Sequence, residues 1–223
     1  MHSARHARRR RPSFVLPLAG AALLLIAGVA VFVYGMNGGG RVPSPGATAV
    51  PATVSTAAPT PVAASATPLA RSRPVRIQIP TLKVSAPVME LGKNSDGSVQ
   101  VPPLNDHNLT GWYKYGPTPG QRGSSVILGH VGSYKGISVF FYIKTLRKGD
   151  PIAVTLADGA VADFTVDGVQ RASKATFPTN AVYGHASYPG LRLVTCGGPF
   201  DYQTRNYLEN IVVYAHLSSS VPA

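Results

Sequence analysis

Only one cysteine stands in the 223 residues. No intramolecular disulfide can form, and no cysteine-rich metal site can be built. Charge is scarce too, at 13% of residues, and no acidic residue precedes position 74. The chain lacks a phosphate-binding glycine loop and a dinucleotide fingerprint. No histidine pair has metal-ligand spacing, and no acidic cluster suggests calcium. Internal repeats, heptads and long helical periodicity are missing as well. Together these gaps exclude a nucleotide-binding α/β enzyme, a coiled coil and a recognisable metalloenzyme; no cofactor and no metal are expected. The formal net charge of +12 invites a nucleic-acid reading, but its location argues against one. Five arginines fall within residues 1–11, and Arg41, Arg71 and Arg73 follow without an acid between them. After position 73, thirteen basic and nine acidic residues remain, a net of about +4.

The first long feature present is Phe14–Tyr34, 21 residues without a charge. Roughly 20 apolar residues span a bilayer core. The arginines before it predict a cytoplasmic N-terminus (residues 1–13) and an extracellular remainder. A cleaved signal peptide is the rival, but the run exceeds the usual h-region of about 7–15 residues, and GMNGGGRV lacks a clean small-x-small cleavage site. Residues 35–73 are almost wholly Gly, Ala, Pro, Thr, Ser and Val, without an aromatic residue. Such a stretch cannot bury enough apolar surface to offset its ordering entropy, so it reads as a linker.

From residue 74 to 219 the texture becomes that of a folded domain. RIQIP, SVQVP, SSVILGHV, PIAVTLADG, ADFTVDGVQ, LRLVTCGG and NIVVYAHL read as strands. NSDG, PTPGQRG, RKGD, ADG and CGGPFD between them are turn chemistry. VFFYIKTL is a candidate short helix. Seven or eight short strands in this span predict an all-β barrel or sandwich.

Three residues suggest chemistry. Cys196 ends the apolar run LRLVTC ahead of Gly197 and Gly198; His130 ends SSVILGH; Arg205 lies in the following loop. A thiol attacks an amide carbonyl only as thiolate. A histidine can protonate the leaving amine and deprotonate an incoming one. An arginine stays charged and can hold an oxyanion. Spacing alone leaves other readings open: a lone Cys at a strand end is commonly a buried small hydrophobe, a lone His a structural residue, and a loop Arg a solvated charge.

The segments LGHVGSYKGISVFFYIKTLRKGD and LRLVTCGGPFD resemble the histidine and TC motifs of sortases, in the form seen in class F. PVRIQIPTLKVSAPVMELG, DGSVQVP and TGWYKYGPTPGQRGSSVILGHV resemble the N-terminal half of that class, and NYLENIVVYAHL its last strand. The similarity covers residues 74–217. It implies an eight-stranded sortase-type β-barrel with one or two short helices, behind a single transmembrane helix. It also implies a cysteine transpeptidase that cleaves an LPxTG-like sorting signal between Thr and Gly through a thioacyl enzyme. The acceptor would be a cell-wall amine, and the enzyme a monomer in the cell membrane with its catalytic domain outside. Cys196 and His130 lie inside matching motifs. The class A arginine position, thirteen residues after the cysteine, is Glu209 here. Arg205, at nine, is the preferred equivalent and Arg192 the fallback. Leu128, Val194, Thr195 and Gly197, which flank the motifs, are the expected substrate-binding residues. An L,D-transpeptidase would carry a histidine two residues before the cysteine, where Val194 stands. A non-catalytic binding domain with an inert Cys196 is the third reading.

Overall fold

A computed structural model of the chain describes residues 55–59 and 66–223. The expected tail and anchor, residues 1–34, lie outside the described residues. Eight strands close into a barrel: β1 (Pro74–Ile79), β2 (Val84–Leu91), β3 (Thr110–Tyr113), β4 (Gly123–Gly129), β7 (Pro151–Leu156), β8 (Val161–Ser173), β9 (Pro189–Asp201) and β10 (Asn206–Val221). Around the barrel they run β1-β2-β3-β4-β9-β10-β8-β7, while β5 (Gly132–Ser133) and β6 (Gly136–Ile137) form a separate small ribbon. Neighbours are antiparallel except for β2 with β3 and β4 with β9. The all-β, eight-stranded expectation holds. Among the described residues the α-helical content is one short helix, α1 (Thr179–Tyr183).

The strand sequences explain which faces are covered. In β7, PIAVTL alternates between buried and partly exposed positions, the pattern of a strand with one face on the core. In β4, GSSVILG is buried throughout. A strand buried on both faces reads as a continuous run rather than an alternation. Its inner face joins the barrel core around Ile127, Phe140, Phe164, Leu193 and Val213. Its outer face joins a second cluster of Leu91, Val126, Leu128, Val182, Val194, Val212 and Tyr214. Helix α1 supplies Val182 to that second cluster, so part of the barrel's outside is itself a core.

Several expected elements differ. VFFYIKTL forms turns and a 3-10 turn at Ile143–Thr145. The backbone N–H groups of Val139 and Phe140 donate to the carbonyls of His107 and His130, while Val139, Phe140, Ile143 and Leu146 fill the barrel. SVQVP makes only an isolated bridge, Lys93 with Val99. β2 was hidden by Pro87, which argues against a strand interior; the parallel ladder to β3 begins only after it, at Val88 with Thr110. CGGPFD is not a turn. β9 runs through it to Asp201, with a register shift opposite Tyr207–Glu209. Finally, part of the expected linker is ordered on the barrel: Ser55 bridges β8 at Gln170, and Leu69 packs against the core.

Candidate active site

β4 and β9 run side by side in parallel register from Gly123 with Pro189 to Leu128 with Val194. There the ladder stops. Two residues past that last pair come His130, just beyond the end of β4, and Cys196 within β9, so both stand at the same end of the ladder. On the other side Cys196 is paired with Asn210 of β10. Side chains two apart share a face, so Cys196 projects to the outer side with Val194, while Leu193 and Thr195 turn inward.

The thiol opens onto a cleft of about 1040 Å³ whose lining includes Leu128, Val194, Cys196 and Asn210. Cys196 is half-buried and free. The opposite wall is aromatic. Tyr113 meets Tyr115 edge-on with centroids 5.7 Å apart and Tyr183 at 5.5 Å, and Tyr183 leans on Phe177 at 6.4 Å. Burial, with Tyr113 beside it, pushes the Tyr183 phenol up to about 12. It is therefore a neutral hydrogen-bonding group at any physiological pH.

His130 is half-buried, and its Nε2 lies 2.5 Å from the Pro102 carbonyl oxygen. A carbonyl only accepts, so Nε2 carries a proton and Nδ1 is the nitrogen that can gain or lose one. Close packing beneath it depends on Gly129, where a Cβ would stand 2.6 Å from the Phe140 ring. After the thiol, a Cβ on Gly197 would come within 2.7 Å of Ile211, and Gly198 has φ +73°, a conformation glycine adopts without penalty. The two glycines let the backbone bend past Cys196 without placing a side chain there.

The other expected site residues divide. Leu128 and Val194 line the cleft. Thr195 is buried facing the barrel interior, its hydroxyl without a partner; alternation puts it on the wrong face for a side-chain contact to substrate. Gly197 is not part of the cleft wall, its Cβ direction being toward Ile211. Arg205 is exposed at the β9–β10 hairpin tip, with φ 51°. It follows Asp201, which pairs with Asn206, so it lies five residues along the hairpin from the Cys196–Asn210 pair, roughly 17 Å at about 3.4 Å per residue. Arg192, the fallback, is 4% exposed. It donates to the carbonyls of Ala181, Leu191 and Ala215 and to the Tyr188 hydroxyl, and lies 4.7 Å over the Tyr214 ring. Those bonds tie α1 to the sheet. The class A position, Glu209, is ion-paired to Arg171 at 2.7 Å. His107 is an exposed loop residue whose carbonyl accepts from Val139 and Ser138. His216 is paired with buried Asp167. His185 lines the cleft. Among the described residues no cluster of His, Cys, Asp and Glu could hold a metal.

A closed barrel with a half-buried thiol opening onto an aromatic-walled cleft, and a histidine at the end of the adjacent strand, is the arrangement of a cysteine acyl-transfer enzyme. The sortase-domain profile matches residues 77–218, and the chain belongs to the sortase family, the cysteine transpeptidases. Among solved structures, sortase A of Listeria monocytogenes superposes with a TM-score of 0.51 at 18% identity, covering 67% of this chain and 90% of that one. Sortase C-1 of Actinomyces oris superposes with a TM-score of 0.50 at 21% identity, covering 66% and 73%. At these identities the likeness is one of fold. No curated protein matches.

Proposed function

We propose that the chain cleaves an LPxTG-like sorting signal between Thr and Gly and passes the acyl group to an amine of the cell envelope. Cys196 is the nucleophile and His130 the proton carrier. The observation that carries this reading is the place of His130 and Cys196, each two residues past the last pair of the β4–β9 ladder, Leu128 with Val194. β4 has seven residues, which at about 3.3 Å each give the adjoining cleft a length near 23 Å. That suits an extended peptide of about six residues.

The chemistry follows. The Cys196 thiolate bonds to the Thr carbonyl carbon, and the carbonyl π electrons move to oxygen. As they return, the C–N bond breaks and the Gly nitrogen leaves with a proton from His130. The acyl group stays on sulfur as a thioester. An incoming amine attacks it, gives its proton to His130, and sulfur departs. General acid–base assistance of this kind contributes about 10²–10⁴-fold. The apolar lining at Leu128 and Val194 receives side chains of the signal, and the aromatic wall shields the thioester from water.

The sequence adds the setting. Residues 14–34 anchor the enzyme as a single-pass protein with its N-terminus in the cytoplasm, and the barrel works outside the cell, as a class F sortase with a housekeeping role. The test uses the full chain with a library of sorting-signal peptides. Wild-type enzyme should form a covalent adduct equal in mass to the N-terminal peptide fragment, and Cys196→Ala should lose both adduct and cleavage. Cleavage that survives in Cys196→Ala sinks the assignment.

A further inference from the structure

The cleft has two ends of different chemistry. Cys196 is the last residue of β9 to line it, and Gly123, the first residue of β4, lines the opposite end. Gly123 is paired with Pro189, seven residues before Cys196, which is about 23 Å at about 3.3 Å per residue. The acyl fragment of the substrate has to occupy that length, because it stays on sulfur while the leaving amine departs and the acceptor amine enters. The L-P-x-T part of the signal accounts for about 13 Å. About 10 Å remains on its N-terminal side, room for about three further residues.

Basic side chains collect at that end. Arg122 precedes Gly123 and lines the cleft, and its guanidinium donates to the Ser187 carbonyl at 3.3 Å. Lys93 lines the cleft as well. A Cβ on its neighbour Gly92 would stand 3.7 Å from Lys114 Cε, and Lys114 Nζ lies 5.5 Å from the centre of the Tyr115 ring, itself part of the wall. Gly116 comes next, and a Cβ there would stand 3.6 Å from the Ser124 carbonyl oxygen, so this stretch lies beside the start of β4. Among the described residues no aspartate or glutamate lines the cleft, and neither Arg122 nor Lys93 is paired with a carboxylate. Asp96, in the loop after Lys93, accepts from the Ser98 N–H and hydroxyl. The Lys174 ammonium, by contrast, is bonded to Asn206 of the β9–β10 hairpin.

The surface stays basic past Tyr115. That residue also borders a second cavity of about 450 Å³, lined by Arg71, Arg73 and Lys114 against one carboxylate, Glu90. The carbonyls of Gly116 and Lys114 hold the Arg71 guanidinium, which fixes it without cancelling its charge.

We propose that the end of the cleft remote from the thiol is a subsite for acidic residues placed just N-terminal to the sorting signal. Arg122 and Lys93 meet the first of them, and the Arg71–Arg73 cavity meets those further upstream. On the acyl-transfer reading of Cys196, on which this rests, the subsite selects among substrates through KM and leaves the bond-breaking step alone.

The test uses the full chain and three peptides that share one sorting signal and differ only in the residues just before it, all Asp, all Ser or all Lys. Exposed charge pairs are individually weak and are screened by salt, so at low ionic strength the Asp peptide should show a KM about tenfold below that of the Ser peptide. The Lys peptide should show the highest KM, and the spread should shrink at high salt. Moving the Asp residues to the far side of the Gly should remove the gain. Lys93→Gln with Arg122→Gln should bring the Asp and Ser peptides to about equal KM once the two charges are gone. Lys93→Glu with Arg122→Glu should reverse the order and favour the Lys peptide. Each comparison sets two peptides against one enzyme, so a variant that folds poorly does not imitate the result. If wild type cleaves none of the peptides, the sorting reading fails, and fluorescence anisotropy of the same peptides carrying a neutral dye decides the subsite. An Asp peptide with no advantage over the Ser peptide in KM or in binding overturns the proposal, as does an order that survives in the double Glu variant.

Discussion

Asp167 is the extra residue where β8 slips out of register with β10, between Gly168 opposite Tyr214 and Val166 opposite Ala215. One carboxylate oxygen lies 2.7 Å from His216 Nδ1, the other is buried without a partner, and the side chain is 2% exposed. Burial raises its pKa above the ordinary 3.8, outweighing the opposing pull of His216, then of Arg192 and Lys148. A raised carboxyl pKa means the folded state resists ionisation. Its contribution to stability is present below pH 3.8 and is lost as pH rises through the folded value. Asp167→Asn keeps an oxygen for His216 and never ionises. It should therefore melt higher than wild type at neutral pH, and the gap should close as pH falls toward 3.8; a gap constant with pH would refute the burial argument. At this scale the sequence was legible where one motif held the whole message. Cys196 and His130 each close an apolar run, and Val194 and Leu128 follow by period 2. Thr195 was misplaced because the motif names it without giving its face. Asn210 was invisible because it meets Cys196 only through the pairing of β9 with β10.

Helix α1 has five residues, too few to hold itself together in water. Packing keeps it: Val182 is fully buried in the outer cluster, and Arg192 on β9 donates to the Ala181 carbonyl. Thr179 and Tyr183 of the same element line the cleft, so the helix couples stability to substrate contact. Val182→Ala removes about two methylene equivalents from a dry site, roughly 2 kcal/mol. For a domain of this size that lowers Tm by about 4–8 °C. Cys196 and His130 stand on other elements, so KM for a cleaved peptide should rise while kcat changes less than twofold. A fall in kcat at unchanged KM would show that α1 shapes the reacting centre instead. The sequence hid this helix because TNAVY has no periodicity to read. It offered VFFYIKTL instead, whose apolar positions match a helix but serve as a plug in the barrel. Long runs such as SSVILG were readable as strands, and their lack of alternation already carried the second, outer core.

At the scale of the molecule, the barrel is closed but β8 is not fully covered. β7 pairs with β8 only over Val161–Thr165, which leaves the later half of β8 with one free edge. The segment at Ser55 occupies it. Ser55 N–H donates to the Val169 carbonyl at 3.2 Å, Arg171 N–H donates to the Ser55 carbonyl at 2.9 Å, and the Gln170 amide donates to the Thr56 carbonyl at 3.0 Å. Nearer the barrel, Leu69 N–H donates to the Gly120 carbonyl, and Arg71 stacks 5.5 Å from the Trp112 ring. Composition marked all of residues 35–73 as linker because these contacts are long-range and made by backbone groups and a few isolated side chains, which residue content does not report. Exposed strand edges template pairing with other chains, so the docked segment is expected to keep the enzyme monomeric as well as stable. Chains beginning at residue 51 should be monomers. Chains beginning at residue 66 lose the three edge bonds, and at about 0.5–1.5 kcal/mol each should melt several degrees lower and self-associate in size-exclusion chromatography as concentration rises. Chains beginning at 74 lose Leu69 and Arg71 besides and should melt lower still. Equal melting points and monomeric elution for all three would mean that β8 needs no partner on that edge, and that the segment's docking contributes nothing to the fold.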